Sequence, residues 1–330
     1  MTTSNGSSLR PFPKGVYTPL TTPFTQDEEV DYNALVKQVI RLAKAKMGIV
    51  LLGTNGEAIH LSDAERQKVT KVSREALDKE GFNEVPILVG TGAGSAKETI
   101  KLCVEAKEVG ADAAIVIHPG YFAFAMGKNR QAVKDYFISV LDKSPLPVMI
   151  YNFPGAASGI DLDSDILIEL SEHPNCMGAK LTCAGIGKGT RLAAHTQSKE
   201  YLSRHAPFHV FPGFSDYMLP AAVSGHTGVI TGTGNLMPKL MVKLWDTSVE
   251  AIKTGDLEKW KEAQRLQLIV SNADWCVVKA GIGGTKYAMD KFVEKGLGGR
   301  SRLPIPEASP DIQTMCDSGL AEAMQLEASL

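Results

Sequence analysis

Cys176-Met177-Gly178-Ala179-Lys180-Leu181-Thr182 is a short apolar run with one cation near its end, and it is the sixth of eight such runs in the chain. Before it come Gly15-Val16-Tyr17-Thr18-Pro19, Gly48-Ile49-Val50-Leu51-Leu52-Gly53, Pro86-Ile87-Leu88-Val89-Gly90, Ala113-Ala114-Ile115-Val116-Ile117 and Pro147-Val148-Met149-Ile150-Tyr151-Asn152. After it come His209-Val210-Phe211-Pro212 and Gly228-Val229-Ile230. Runs that are apolar at nearly every position suit strands buried on both faces, the condition of a parallel sheet. Between them, Tyr32 to Lys46, Asp63 to Lys79, Ala96 to Val109, Gln131 to Leu141 and Asp165 to Leu170 carry apolar residues at helical spacing. Eight strands alternating with helices predict an α/β fold of the (β/α)8 TIM-barrel type. A dinucleotide-binding open sheet would want G-x-G-x-x-G after its first strand, and neither Gly90-Thr91-Gly92-Ala93-Gly94-Ser95 nor Gly232-Thr233-Gly234-Asn235-Leu236-Met237 supplies the third glycine.

Three parts follow: a disordered lead over 1–14, a barrel over 15–235, and C-terminal helices packed on the barrel over 236–330. In the last part Pro238 to Gln267 and Asn272 to Met289 have helical patterning, and a Pro-rich stretch around Pro304 and Pro306 leads to a final helix. At 330 residues and 44% hydrophobic content the chain can bury a large core as one domain. A formal net charge of −2 offers no basic field for a phosphate backbone, which argues against nucleic acid and for a small-molecule substrate. No apolar run has the length of a membrane span, so no membrane partner is expected. The five cysteines, Cys103, Cys176, Cys183, Cys276 and Cys316, lack CxxC spacing and read as reduced core thiols. A cytoplasmic location follows, with a mitochondrial one as the alternative because the first residues are rich in Ser and Thr and lack acids.

In a barrel the residues that end strands form the reactive face. Strand parity puts Gly178, Lys180 and Thr182 on one face and Met177, Ala179 and Leu181 on the other. Lys180 then points inward among small residues, where loss of water favours the neutral amine that attacks a carbonyl. Taken alone, a lysine near a strand end also suits a side chain that snorkels to solvent, and both readings stay open on parity. Tyr151 ends its strand and can present a hydroxyl to the same face as a proton shuttle, or sit buried with one hydrogen bond. Gly53-Thr54-Asn55-Gly56-Glu57 joins two glycines to a hydroxyl and free N–H groups, a nest for a carboxylate or a plain helix cap. His60 and His118 are candidate bases whose commoner role is structural. No His, Cys, Asp or Glu cluster has metal-ligand spacing, so no metal is expected. The Gly-rich turn at Gly232 sits where many barrels hold phosphate, which keeps a phosphate-binding barrel isomerase as a rival, with a non-catalytic barrel as another.

Taken in order, Gly15 to Phe24, Gly53 to Glu57, Pro119-Gly120-Tyr121, Tyr151-Asn152-Phe153-Pro154-Gly155, Gly178 to Thr182 and Gly228 to Asn235 resemble the dihydrodipicolinate synthase and N-acetylneuraminate lyase family of class I pyruvate-dependent aldolases. The resemblance implies that Lys180 forms a Schiff base with a 2-oxo acid, that Tyr151 is its acid/base, and that Thr54 links hydroxyls in a relay completed by Tyr121 of a neighbouring subunit. It further implies that Thr54 and Asn55 main-chain groups hold the substrate carboxylate, with Thr182 and Ile230 also in the substrate site. No cofactor is implied beyond the covalent imine. The partners implied are a 2-oxo acid, an aldehyde, and further copies of the chain as a dimer of dimers.

Departures from the synthase pattern bear on the substrate. No Arg follows the Tyr151 motif, where Gly155-Ala156-Ala157-Ser158-Gly159 stands instead, so the usual anchor for the aldehyde's carboxylate is missing. Asn55 stands for a second Thr, and Gly120 stands for a bulky Tyr and is expected to open the pocket. Gly120 and Ala156 therefore mark specificity. The chain looks most like the eukaryotic branch of 4-hydroxy-2-oxoglutarate and 2-keto-3-deoxy sugar-acid aldolases. The implied reaction is aldol cleavage of a 4-hydroxy-2-oxo acid to pyruvate and an aldehyde, the alternative being condensation of pyruvate with aspartate semialdehyde.

Overall fold

The computed structural model of the chain describes residues 9–330. Its elements follow in chain order: β1 (Gly15–Pro19), α1 (Tyr32–Lys44), β2 (Gly48–Leu51), α2 (Asp63–Lys79), β3 (Ile87–Gly90), α3 (Ala96–Glu108), β4 (Ala113–Ile117), α4 (Ala123–Met126), α5 (Arg130–Lys143), β5 (Val148–Asn152) and α6 (Ser164–Ser171). There follow β6 (Cys176–Leu181), α7 (Ile186–Thr196), α8 (Lys199–Leu202), β7 (His209–Pro212), α9 (Met218–Val223), β8 (Gly228–Ile230), α10 (Pro238–Thr254), α11 (Leu257–Phe292), α12 (Pro310–Gly319) and α13 (Ala321–Ser329). Every ladder is parallel, in the order β7-β6-β5-β4-β3-β2-β1-β8. The seam between β7 and β8 is closed by the Thr227 N–H donating to Val210 O at 3.0 Å and the Val210 N–H donating to Thr227 Oγ1 at 3.0 Å. The chain is thus a (β/α)8 barrel with C-terminal helices, as its eight apolar runs predict.

Local chemistry sets the element ends. Asp31 accepts from the Asn33 and Ala34 N–H groups to start α1, and Ser62 with Glu65 forms a capping box on α2. Inside the barrel Tyr17, Val50, Leu88, Ile115, Met149, Tyr151, Phe211 and Ile230 form one apolar column, while the opposite strand faces join the helix layer in a second, larger core. Each strand is therefore buried on both sides, which is why its sequence shows no polar alternation.

The lead is held earlier than expected. The Arg10 N–H donates to Asp112 Oδ1 at 3.0 Å, Phe12 stacks on Tyr17 at 6.2 Å, and Tyr17 donates its hydroxyl to Pro13 O at 2.7 Å. These contacts close the amino end of the barrel, and of the lead only residues 1–8 lie outside the described residues.

The C-terminal helices pack on the barrel, with other breaks than the pattern suggests. Gly255 at φ 70 ends α10, and Asp256 caps α11. α11 then runs as two pieces across Gly281 (φ 64, ψ −165). The buried Glu327 of α13 accepts from the Lys239 and Leu240 N–H groups at 3.1 and 2.7 Å, placing a carboxylate on the positive end of α10.

Candidate active site

The parallel sheet brings all eight strand ends to one face. On it Tyr151 of β5 and Lys180 of β6 are register partners. Lys180 is 6% exposed, its Nζ lies 4.4 Å from the centre of the Tyr151 ring, and among the described residues it is paired with no carboxylate. Ala179 and Leu181 face the helix layer, as parity requires. Met177 departs from that parity and packs against the inner column, because the β5/β6 register shifts between Val148 and Met149. The resulting face is as expected where it matters: Lys180 points inward.

Thr54, in the turn after β2, reaches the same place. Its Oγ1 lies 3.4 Å from the Tyr151 hydroxyl, and the Lys180 amine stands over the face of the Tyr151 ring, so the three side chains converge on one place. Tyr151 is itself fixed by stacking on Phe153 at 5.8 Å. Thr182 is 8% exposed, and its Oγ1 is buried without a hydrogen-bond partner. A buried hydroxyl left unmade costs about 1–3 kcal/mol, which a substrate oxygen would recover. Gly213 backs directly onto this hydroxyl, since a Cβ there would collide with it. Asn55 closes toward the turn after β8, its Nδ2 lying 2.6 Å from the place of a Cβ on Gly232. Ile230 is wholly buried in the column beneath.

Other residues singled out in the sequence fall elsewhere. Tyr121 is 85% exposed, edge-on to Phe122 at 5.1 Å, and within one chain it does not join the Thr54–Tyr151–Lys180 group. Gly120 does not open the pocket: a Cβ there would meet Ser158 Oγ at 2.8 Å and the Ala157 backbone at 2.9 Å, so the loop after β5 already fills that space. Ala156 is exposed on this loop. Asn152 pins the loop, donating to Asp161 Oδ1 at 2.7 Å and accepting from the Leu162 N–H at 3.0 Å. His118 turns outward onto Tyr136 and Phe137, with burial pulling its pKa down. His60 lies against Glu57 at 3.1 Å. Neither histidine is among the side chains that meet at Tyr151.

Two residues that matter here carry no signal in the sequence. Lys286, on the second piece of α11, donates to Glu57 Oε1 at 2.6 Å, and the Arg302 N–H donates to Glu57 Oε2 at 2.9 Å. Glu57 thus ties the turn after β2 to the C-terminal region. Asp274, on the first piece, accepts from Ser215, Thr231 and Thr233. The latter undercuts a phosphate site after β8, since the Gly232–Asn235 turn spends its Thr233 N–H on Thr231 Oγ1 and has a buried carboxyl against it. Among the described residues no group of three or more His, Cys, Asp or Glu could hold a metal ion.

Comparison with known proteins agrees with this geometry. The chain is 40% identical over 320 residues to the L-threo-3-deoxy-hexylosonate aldolase of Hypocrea jecorina, covering 96% of this chain and 98% of that one. It is 39% identical over 322 residues to an Emericella nidulans protein named "Probable 4-hydroxy-2-oxoglutarate aldolase, mitochondrial", covering 97% and 98%. Among solved structures it resembles YagE, an Escherichia coli K12 prophage protein of the dihydrodipicolinic acid synthase family in complex with pyruvate, with a TM-score of 0.79, 25% identity, and coverage of 95% and 99%. The model of the dihydrodipicolinate synthetase family matches residues 12–322, and the chain belongs to that family.

Proposed function

We propose that the chain is a class I aldolase that cleaves a 4-hydroxy-2-oxo acid to pyruvate and an aldehyde through an imine on Lys180. The observation that carries this reading is a buried lysine with no carboxylate partner among the described residues, lying against the ring of a tyrosine whose hydroxyl meets Thr54. The Lys180 amine adds to the C2 ketone and water leaves, giving a protonated imine. Tyr151 takes the proton of the C4 hydroxyl, the C3–C4 bond breaks, and its electron pair moves into the imine as an enamine while the aldehyde departs. Return of the proton to C3 and addition of water release pyruvate and the free amine. Thr54 and Asn55 hold the substrate carboxylate, and the orphan Thr182 hydroxyl takes a substrate oxygen.

Tyr121 completes the proton relay from a second copy. Its 85% exposure beside Phe122 and Phe124, 53% and 85% exposed, makes an uncovered aromatic patch of the kind that a partner covers. The aldolase names of relatives near 40% identity support a lyase over a condensing synthase, as does the loop Gly155–Gly159 without an Arg.

Pyruvate with borohydride tests the imine, with a covalent mass gain on Lys180 expected and no adduct at saturating pyruvate overturning it. Pyruvate release from a panel of 4-hydroxy-2-oxo acids and 3-deoxy-2-oxo sugar acids tests the substrate class. Efficient condensation of pyruvate with aspartate semialdehyde in a parallel assay would replace cleavage by the synthase reaction.

A further inference from the structure

Asp274 is 3% exposed, and among the described residues it has no cationic partner. Its Oδ1 accepts from Ser215 Oγ at 2.8 Å, from Thr231 Oγ1 at 3.3 Å and from Thr233 Oγ1, while its Oδ2 is buried and takes no side-chain hydrogen bond among the described residues. Thr231 Oγ1 also lies 3.1 Å from Ser215 Oγ and shares its one hydrogen between that oxygen and the carboxyl, so the three hydroxyls and the carboxyl form one knot. Ser215 lies in the turn after β7, and Thr231 and Thr233 lie in the turn after β8. Two helical turns earlier on α11, Gln267 braces the same region, donating to Ser215 O at 2.9 Å and accepting from the Leu219 N–H at 2.7 Å. Burial pushes the Asp274 carboxyl up, against the hydroxyls and the Asp216 backbone. A second acid that bears on it, Asp216, is itself raised to about 6 by burial and by Asp274, so the neighbouring titratable group is another acid and not a cation.

An uncompensated buried acid is an expensive way to hold two turns together, since a neutral amide could accept the same hydroxyls. What these turns touch gives the reason. The β7 turn begins at Gly213, packed on the Thr182 hydroxyl, and the β8 turn contains Gly232, packed on the Asn55 amide. Thr182 and Asn55 are two of the residues through which the proposed site grips its substrate, whereas Lys180 and Tyr151 are register partners in the β5/β6 ladder, and the β7 turn reaches only their neighbour Leu181, whose carbonyl accepts from the Gly213 N–H at 3.2 Å.

We propose that Asp274 is a positioning residue for substrate grip: by knotting the turns after β7 and β8 it sets Gly213 against Thr182 and Gly232 against Asn55, and leaves the bond-making pair unaltered. The inference rests on the aldolase reading of Lys180 but not on the identity of the aldehyde. Asp274 touches no substrate in this scheme and acts through Thr182 and Asn55.

Asp274→Ala, Ser215→Ala and Thr233→Ala are to be measured in the full-length protein with whichever substrate of the panel is turned over, alongside pyruvate-borohydride trapping and a thermal melt. Asp274→Ala is expected to raise KM at least tenfold with kcat within about threefold of wild type, and to trap fully on Lys180 at saturating pyruvate but at a higher half-saturating concentration. The single hydroxyl variants shift KM in the same direction by smaller factors. Unchanged KM overturns the proposal, and so does a kcat that falls as far as KM rises. Should Asp274→Ala fail to fold, Ser215→Ala and Thr233→Ala, each removing one bond of the knot, decide on the same two parameters. Failure of the wild type to trap pyruvate would overturn the aldolase reading of Lys180 on which the proposal rests, and it is distinguished from failure of the proposal itself because the split between KM and kcat is read from turnover.

Discussion

Lys180 and Lys286 are both buried, 6% and 2% exposed, yet they are opposite kinds of lysine. Lys286 spends its ammonium hydrogens on Glu57 Oε1 at 2.6 Å, Thr22 O at 2.7 Å and Arg300 O at 2.5 Å, and so holds the C-terminal region to the turns after β1 and β2. Burial pulls its pKa down while Glu57 holds it up, and the charge stays committed. Lys180 has an aromatic face where Lys286 has a carboxylate. Burial alone therefore does not make a nucleophile. What makes one is burial without a partner, at the end of a barrel strand, beside a hydroxyl that can move a proton.

Substitutions can break this contrast at either lysine. The largest effect is expected for Lys180→Ala, which should lower pyruvate release at least about a thousandfold while the melting temperature stays within a few degrees, because no buried charge is left behind. Activity that survives the change would place the nucleophile elsewhere. Tyr151→Phe should lower kcat by about 10²–10⁴-fold, with borohydride trapping slowed but not abolished. Lys286→Met should do the reverse, destabilising the fold by about 3–5 kcal/mol because Glu57 stays buried without its lysine, with only the Arg302 N–H and His60 against it, and with kcat per folded molecule close to wild type. Denaturant unfolding measures it, and Glu57→Gln in the same chain should recover part of the loss. The smallest effect belongs to His60→Ala, which removes one contact to Glu57 and should cost about 0.5–1.5 kcal/mol without changing turnover.

The contrast was half legible in the sequence. Lys180 could be placed on the inward face because strand parity is a local property and its strand is short, apolar and one of eight, while its role came from the resemblance carried by the ordered motifs. Thr54, Tyr151 and Thr182 were legible for the same reason, each lying at or just beyond the end of such a strand. Lys286 and Asp274 were not, since each sits in a long helix where an acid or a base looks like any surface charge until Glu57 or Ser215 arrives from far along the chain. Gly120 shows the same limit from the other side: its lack of a side chain suggested open space, and the space belongs to Ala157 and Ser158. Met177 was misplaced by a register shift that alternation cannot foresee.

Gly281 separates Asp274 from Lys286 physically. At φ 64 and ψ −165 it holds a backbone conformation open essentially to glycine alone, and it divides α11 between Asp274 and Lys286. In an unbroken helix, adding or removing one residue would turn everything beyond it by about 100°, so retuning one contact would wrench the other out of alignment. The break frees the two pieces from a single helical phase. A protein engineer can exchange or lengthen the stretch from Leu257 to Ala280 to reshape the turns after β7 and β8, while the stretch from Ile282 onward keeps its grip on Glu57.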